Sequence, residues 1–336
     1  MASLQEVAQE AGVSKSVASR VLTGDTRARV SEATRERVRR AAERLQYVPS
    51  HRARALRFAR SGAVGLIVPD VNNAVFAEML GGVQDRARDA GMSVLLSQID
   101  PPPAGREQLR ELVAAGRVDG VLLQRREDFD DPMLEAVLTK DIPAVLINSK
   151  LPGRTGSVVL DDVAGALTAT RHLIDLGHER IGHLAGVATH DTAVRRHQGF
   201  RDAMDAAGLP VRRAWVQHCG WEAPGGAAAV RQLMTARTRP TGLVVSSVNA
   251  AIGALSALSR MGVRVPEDLS VITINDTWVA QSWTPALTTV RMPLRALGGQ
   301  ACSMLLDHLA GARLHDTVVT DLTPELVVRG STRAVP

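Results

Sequence analysis

The sequence predicts an α/β protein in which a small helical head precedes a larger body of parallel β-sheets wrapped by helices. Its 336 residues allow two large lobes and a small appendage at the usual size of a protein domain. After residue 62, short aliphatic runs alternate with amphipathic helical stretches, which is typical of parallel sheets. Residues 1–62 contain 13 Lys or Arg and 6 Asp or Glu, a net charge of +7, whereas the remainder carries −2.

The head is predicted to contain three helices. Apolar residues recur at helical spacing from Leu4 to Ala11, Gly12 ends this pattern, and Ser14 can cap a second helix. The outer face of that second helix consists of Lys15, Ser16, Ser19 and Arg20. Ser31 precedes a third, Arg-rich helix. Two short helices joined through Ala-Gly-Val-Ser form a helix-turn-helix, which can place the outer face of its second helix in a DNA major groove.

A short basic segment follows the third helix and begins with Pro49, a residue suited to the first turn of a helix. It carries small residues, among them Ala53, and one protruding apolar side chain, Leu56. A helix of this kind can enter a minor groove and wedge a base step apart. The charge of the head predicts a polyanion as partner, with nucleic acid the first expectation and an anionic membrane surface the second.

The body is predicted to alternate strands with helices. Buried strands are predicted at residues 64–68, 93–97, 120–123, 144–147, 180–184, 243–245 and 270–274. Helices are predicted at residues 76–89, 106–115, 164–176, 195–207, 226–235 and 250–261. This order predicts doubly wound sheets.

The sequence of the body lacks the common catalytic motifs. It has no GxGxxG after a strand, no GxxxxGK[ST], no HExxH and no GxSxG. Cys219 and Cys302 lie far apart and have no CxxC partner, so the sequence supports neither a disulfide framework nor a zinc site. Asp161 and Asp162 are interpreted as a helix cap, and the histidines at 172, 178 and 183 are expected to point in different directions. We therefore expect no catalytic residue, no cofactor and no metal.

The N-terminus and the longest uncharged stretch bear on localisation. The first residues lack the basic and apolar regions of a signal peptide, so the expected location is the cytoplasm, at the nucleoid. The uncharged stretch at residues 241–259 is long enough to span a bilayer, but serine, asparagine and glycine interrupt it. It is interpreted as a buried strand followed by a helix, and no membrane partner is expected.

The head resembles a known family. Residues 4–22 (LQEVAQEAGVSKSVASRVL), residues 30–35 (VSEATR) and the Tyr-x-Pro…Ala-Arg-x-Leu pattern at residues 47–56 resemble the lac repressor/gal repressor family of bacterial transcription regulators. The resemblance implies base reading by Lys15, Ser16 and Arg20, and a minor-groove wedge at Leu56. The full set of DNA-binding residues that it implies is Ser14, Lys15, Ser16, Ser19, Arg20, Ser31, Ser50, Ala53 and Leu56.

The resemblance extends over the body, for example at residues 65–70 (GLIVPD), 176–181 (LGHERI) and 284–290 (TPALTTV). It implies a two-lobed fold like that of the periplasmic sugar-binding proteins, type I, with a ligand in the cleft between two doubly wound lobes. The expected domains are a helix-turn-helix head at 1–48, a hinge helix and linker at 49–61, and an effector-binding and dimerisation domain at 62–336. The N-lobe is expected at about 62–160 and 292–320, and the C-lobe at about 161–291 and 321–332.

The resemblance also implies which residues line the cleft: Asp70, Asn73, Phe76, Gln124, Asn148, Arg196, Trp221, Ser247 and Asn275. Trp221 is expected to stack on the ligand or, alternatively, to pack the lobe. Arg196 is expected to be a charged hydrogen-bond donor or, alternatively, to form a structural salt bridge.

Several positions of this cleft depart from the family pattern. Asn148 and Asn275 replace frequent aspartates, Ser247 with Val248 replaces an Asn-Asp pair, and Ala74-Val75 precedes Phe76 where the family often has Pro-Phe. Loss of carboxylates around a retained Arg196 suggests the hypothesis that the effector is anionic or less hydroxylated than a free hexose.

The expected function is that of a ligand-responsive repressor that binds a near-palindromic operator as a homodimer and is released by a small-molecule effector. The effector is expected to be a sugar, a sugar derivative or an anionic metabolite. Two alternatives compete with this interpretation. A solute-binding protein of a transporter would explain the body but not the basic head, and an α/β hydrolase would require the missing catalytic motifs.

Overall fold

The computed structural model describes residues 2–22, 29–47, 60–101, 104–125, 131–138 and 142–335. The chain divides into two compact units, residues 1–62 and 63–336, which correspond to the basic head and the body. The predicted fold class is confirmed in each unit, since the first is helical and the second is α/β with mostly parallel sheets.

The described residues of the head form three helices around a small aliphatic core. They are α1 (Leu4–Glu10), α2 (Lys15–Leu22) and α3 (Glu32–Arg44). Ser3 and Glu6 form a capping box, in which the Ser3 amide donates to Glu6 Oε2 at 2.6 Å and the Glu6 amide donates to Ser3 Oγ. Gly12 takes a φ of 64° and turns the chain between α1 and α2. Tyr47 is the single tyrosine of the sequence and packs against this core.

The described part of the body forms two six-stranded sheets. The strands of the first sheet are β1 (Ala63–Val68), β2 (Ser93–Gln98), β3 (Gly120–Leu123), β4 (Ala144–Ile147), β5 (Ser157–Leu160) and β11 (Asp316–Val319). The strands of the second are β6 (Ile181–Ala185), β7 (Val216–His218), β8 (Gly242–Val245), β9 (Ser270–Ile274), β10 (Thr288–Arg291) and β12 (Glu325–Val327).

The strand order is β11-β5-β4-β3-β1-β2 in the first sheet and β12-β10-β9-β8-β6-β7 in the second. Neighbouring strands pair in parallel, as in the register Val64 with Val94 and Gly120, and the exception is the antiparallel pair β10 and β12. In both sheets the strand order reverses beside the first strand, as in doubly wound folds.

The helices of the body cover both sheets. They are α4 (Ala74–Asp89), α5 (Ala104–Ala114), α6 (Asp131–Val137), α7 (Asp162–Asp175), α8 (Asp191–Ala206), α9 (Ala223–Leu233), α10 (Val248–Arg260), α11 (Trp278–Ser282) and α12 (Leu294–Leu309). Helices α9 and α10 pack with their backbones in contact, because a Cβ at Gly226 would overlap the Ala250 carbonyl and one at Gly253 would overlap the Ala223 carbonyl. The core between sheets and helices is mainly aliphatic, and Phe200 and Trp215 are aromatic side chains buried in the body.

Every strand and helix predicted in the body is present, with ends that differ by a few residues. The strands at both outer edges of the second sheet, β7 and β12, were not predicted because each has three residues and is only partly buried. Helix α12 was not predicted because it contains Gly298 and Gly299, and Gly298 is accommodated by close packing on Met79 of α4. The uncharged stretch at 241–259 is β8 and α10, as predicted, and no helix among the described residues could cross a membrane.

Candidate functional site

Helix α2 presents a polar face to solvent. Ser14 caps the helix, since its Oγ accepts a hydrogen bond from the Val17 amide at 3.3 Å. Lys15, Ser16 and Arg20 are exposed and Ser19 is half-buried, whereas Ala18 and Val21 point into the head core. The predicted outer face therefore exists as a continuous polar surface, with two long basic side chains that could reach base edges or phosphates.

The basic side chains of α3 are arranged differently. Ser31 caps this helix through the Thr34 amide, and the guanidinium groups of the exposed face pair with acidic side chains of the head. Arg40 contacts Glu36 at 3.1 Å, and Arg44 contacts Glu10 at 3.1 Å. The charge of α3 is therefore largely compensated within the head. The predicted contacts of Ser50, Ala53 and Leu56 lie outside the described residues.

The body contains a cleft between its two sheets, at the carboxyl ends of the parallel strands. Its volume is about 460 Å³, which suits a small metabolite. The structure brings together in its wall all nine residues that the sequence predicted: Asp70, Asn73, Phe76, Gln124, Asn148, Arg196, Trp221, Ser247 and Asn275. Most of them follow the last residue of a strand by one to three positions, the place where open α/β sheets bind ligands.

Two asparagines of the wall take left-handed backbone conformations. Asn148 directly follows β4 with a φ of 51°, and Asn275 directly follows β9 with a φ of 76°. Asparagine tolerates this region better than most residues. Their side-chain oxygens, and Oε1 of Gln124 after β3, are buried and accept no hydrogen bond from the described residues. Among the described residues, these three amide side chains are therefore available to hydrogen-bond a ligand.

Arg196 forms a buried salt bridge. Its side chain is 2 % exposed, and Nε donates to Oδ1 of Asp162 at 2.8 Å, while Nη1 donates to the carbonyl of Ser246. Asp162 is fully buried and also accepts from Arg195 at 2.7 Å. Of the two roles considered from sequence, the structural salt bridge is therefore formed. The anionic-effector hypothesis stays a prediction.

Trp221 forms a half-buried wall of the cleft and is held from several sides. Its Nε1 donates to Nδ1 of His190 at 3.3 Å, and the guanidinium of Arg196 lies 5.6 Å from the centre of its rings. Its carbonyl accepts from Ser247 Oγ at 2.7 Å. A Cβ at Gly186 would overlap the indole, so the glycine after β6 leaves room for it. These contacts fix the plane of the ring without covering it.

On the opposite wall, Asn73 caps α4, because its Oδ1 accepts from the Val75 amide at 3.1 Å. Oδ1 of Asp70 accepts from the backbone and side-chain amides of Asn72 at 2.9 and 3.0 Å. Phe76 lies half-buried in the first turn of α4. Together these residues form an edge that is polar at Asp70 and apolar at Phe76.

Sequence reasoning missed several wall residues, notably Arg125, His190, Thr192 and Glu222. Arg125 follows the last residue of β3 by two positions, and this place just after a strand is a sequence signal that predicts a cleft residue. His190 and Thr192 lie at the N-terminus of α8, where Thr192 Oγ1 donates to the Asn148 carbonyl across the cleft at 2.8 Å. Such contacts join segments that are distant in sequence and have no local sequence pattern.

The histidines at 172, 178 and 183 point to different partners, as expected. His172 contacts Thr332, His178 contacts Thr241, and His183 contacts Ser246 at 2.8 Å. His183 also meets His197 at 3.2 Å between their Nδ1 atoms. Burial lowers the pKa of His183 to about 3, so the ring is neutral inside the body.

Comparison with known proteins agrees with this architecture. Residues 3–50 match the bacterial regulatory proteins of the lacI family, and residues 170–332 match the periplasmic binding protein-like domain. A relative is the HTH-type transcriptional repressor PurR of Photobacterium profundum, 32 % identical over 335 residues and aligned over 99 % of each chain.

Two solved structures are also similar. A LacI family transcriptional regulator from Mycobacterium smegmatis is 57 % identical, with a TM-score of 0.78 over 80 % of this chain and 99 % of that one. The lac repressor dimer bound to operator and the anti-inducer ONPF is 27 % identical, with a TM-score of 0.80 over 99 % of both chains. With a helix-turn-helix head, a cleft between two doubly wound sheets and a full-length relative above 30 % identity, this chain belongs to the lacI family of ligand-responsive, DNA-binding transcriptional repressors.

Proposed function

We propose that this repressor reads its operator with Lys15, Ser16 and Arg20 of α2, while Ser14, Ser19 and Ser31 contact phosphates or orient the helix ends. The observation that supports these roles is the exposed polar face of α2. Ser50, Ala53 and Leu56 are proposed to form the minor-groove contacts of a hinge at 49–61. The head would then comprise residues 1–48, and the effector-binding and dimerisation domain residues 62–336.

The effector is proposed to bind in the cleft of the body, between an N-lobe at about 62–160 and 292–320 and a C-lobe at about 161–291 and 321–332. Trp221 would form a stacking wall, and the amides of Gln124, Asn148 and Asn275 would hydrogen-bond the ligand. Asp70, Asn73, Phe76, Arg196 and Ser247 complete the proposed effector site. The convergence of these nine residues on one cleft supports the proposal.

The active form is proposed to be a homodimer on a near-palindromic operator, because one head contacts too few base pairs for high specificity. The lac repressor dimer that it resembles binds both an operator and a small molecule. Effector binding would change operator affinity by favouring one arrangement of the lobes. We infer that the protein acts in the cytoplasm by binding alone, without a catalytic step.

Selection of binding sites from a random duplex pool tests the DNA-binding role. We expect enrichment of a site with two-fold symmetry, and Arg20→Ala should weaken binding to it by about 1–3 kcal/mol while relaxing base preference at one position in each half-site. Arg40→Ala is the matched control, because Arg40 is also an exposed arginine of the head but lies on α3, outside the proposed reading helix. An asymmetric site, or equal losses in both variants, would refute the proposed reading helix.

A further inference from the structure

Five exposed arginines lie at one edge of the second sheet, the edge at which its parallel strands β6, β7 and β8 begin. Arg180 directly precedes β6, Arg213 begins a short 3-10 helix that precedes β7, and Arg239 lies three residues before β8. The surface formed by Arg180, Arg212, Arg213, Arg237 and Arg239 is named the basic edge. It lies at the opposite end of these strands from the cleft.

Hydrogen bonds tie the segments of the basic edge together. Nε of Arg180 donates to the carbonyl of Arg239 at 3.2 Å, and Nε1 of Trp215 donates to the carbonyl of Thr238 at 2.7 Å. The guanidinium of Arg212 lies 4.9 Å from the ring centre of Trp215, which is only 2 % exposed. The loops that carry the arginines are therefore held against one another and against a buried indole.

The charge of the basic edge is not compensated within the described part of the chain. None of its five guanidinium groups forms an ion pair with a described residue, whereas the exposed Arg264 of the same body contacts Asp268 at 2.8 Å. With Glu179, the acidic neighbour of Arg180 in sequence, the edge carries five positive charges and one negative, a net of +4. Since the body carries −2 in total, its other residues sum to −6. The positive charge of the body is thus concentrated at this edge.

The surroundings of the basic edge favour phosphate groups over a protein or lipid partner. Protein interfaces are centred on aromatic or aliphatic anchors, and stable membrane binding by a basic patch also needs an apolar anchor. No large apolar side chain is exposed in the described segment 207–241, which contains four of the five arginines. Nucleic-acid interfaces are more polar and much more positively charged, and arginine forms bidentate pairs with phosphate. A DNA backbone therefore fits this surface best.

We propose that the basic edge is a second, sequence-independent DNA contact, which binds the phosphate backbone of a DNA segment other than the operator. The head would select one segment by its sequence, and the basic edge would hold another by charge alone. The contact belongs to the body, a compact unit distinct from the head. Its affinity should depend steeply on salt, because each neutralised phosphate contributes about 0.9 to the slope of log K against log salt concentration.

A bridging experiment with the full-length protein tests this contact. Operator duplex obtained by site selection is immobilised and saturated with protein, and unbound protein is washed away. A labelled duplex of unrelated sequence is then added. We expect the complex to retain the second duplex at low salt and to release it as salt is raised, at concentrations where the protein still holds the operator.

Two charge-matched double variants locate the contact. Arg213→Gln with Arg239→Gln removes two charges from the basic edge. Arg117→Gln with Arg313→Gln removes two exposed arginines that each lie three residues before a strand of the first sheet. The first variant should retain the second duplex at least about fivefold less and lower the salt slope by about 2, whereas the second should behave like the wild type. Both should bind operator and unfold in urea like the wild type, because all four side chains are exposed.

Competitors identify the chemistry of the partner. Unlabelled duplex should displace the labelled one more effectively than polyglutamate or phosphatidylglycerol vesicles at the same concentration of charge. No retention by the wild type at low salt, or equal losses in the two double variants, would overturn the proposal. Stronger displacement by polyglutamate or by the vesicles would also overturn it, because the edge would then favour an acidic protein or a membrane surface.

Discussion

Arginine pairs with carboxylates in both units of this protein, but the pairs differ in burial. On α3 of the head, Arg40 and Glu36 lie 3.1 Å apart with 70 % and 48 % of their side chains exposed. In the body, Arg196 and Asp162 lie 2.8 Å apart with 2 % and 0 % exposed. Water screens the first pair and is excluded from the second. A guanidinium and a carboxylate therefore form a solvated surface pair in the head and a buried structural contact beside the cleft.

The largest expected effect comes from breaking the buried pair. Asp162→Asn removes the carboxylate that pairs with both Arg195 and Arg196. The guanidinium of Arg196 stays buried, and that of Arg195 stays mostly buried, without this negative partner. The free energy of unfolding should therefore fall by about 3–5 kcal/mol. Urea unfolding followed by tryptophan fluorescence measures the change. Asp268→Asn removes a carboxylate from the exposed pair with Arg264 in the same body and should leave the midpoint almost unchanged. Equal losses in the two variants would show that burial does not separate these pairs.

Acid should destabilise the body through its buried imidazoles. The pKa of His183 is lowered to about 3 in the folded state, from an ordinary value of 6.5, so the unfolded chain binds more protons and stability is lost as the pH falls below 6.5. Burial also lowers the pKa of His172, His178 and His197. His183 alone should cost roughly 2 kcal/mol between pH 6.5 and 5.

Urea unfolding across this pH range checks the acid effect, and His183→Gln should flatten the dependence. His308→Gln, near the C-terminus of α12, removes a half-buried imidazole and supplies the reference for the loss of a histidine outside the core. A wild-type protein whose stability is constant from pH 6.5 to 5 would contradict the buried neutral state of His183.

In the head, local hydrogen bonds should contribute more than the exposed ion pairs. Ser3→Ala removes one half of the capping box with Glu6 and should reduce stability by about 1 kcal/mol. Hydrogen exchange of the α1 amides would localise the loss. Ser3→Asn should restore most of it, because asparagine is also a favourable cap; an unrestored loss would point to another role for Ser3.

The smallest effect is expected for the exposed pairs of α3. Glu36→Gln removes the carboxylate shared by Arg39 and Arg40 and should change stability by at most about 1 kcal/mol. The change should vanish as salt is raised, since exposed charges are screened. A salt-independent loss would mean that these pairs are structural, like the pair in the body.

The sequence allowed prediction of those features that depend on local pattern or on position relative to a strand. The alternating apolar runs predicted the sheets, and the serine caps and apolar spacing predicted α2. The family resemblance placed Asn148 and Asn275 in the cleft, and in the structure each directly follows a strand. The fold and the candidate site were therefore largely predictable.

Contacts between distant segments could not be predicted in this way. Asp161 and Asp162 were together interpreted as a cap, but only Asp161 caps α7, through the Ala164 amide at 2.9 Å. Asp162 instead pairs with Arg196, 34 positions along the chain. The partner of a buried charge depends on how two helices pack, and periodicity does not specify that packing.

The placement of the aromatic residues makes the two units separately observable. Tyr47 packs in the head, whereas Trp215, Trp221, Trp278 and Trp283 all lie in the body. Excitation selective for tryptophan therefore reports on the effector domain alone. If operator binding leaves the tryptophan spectrum unchanged, then binding affects the head only. A change in the tryptophan spectrum would instead show that operator binding at the DNA-binding unit alters the effector-binding unit.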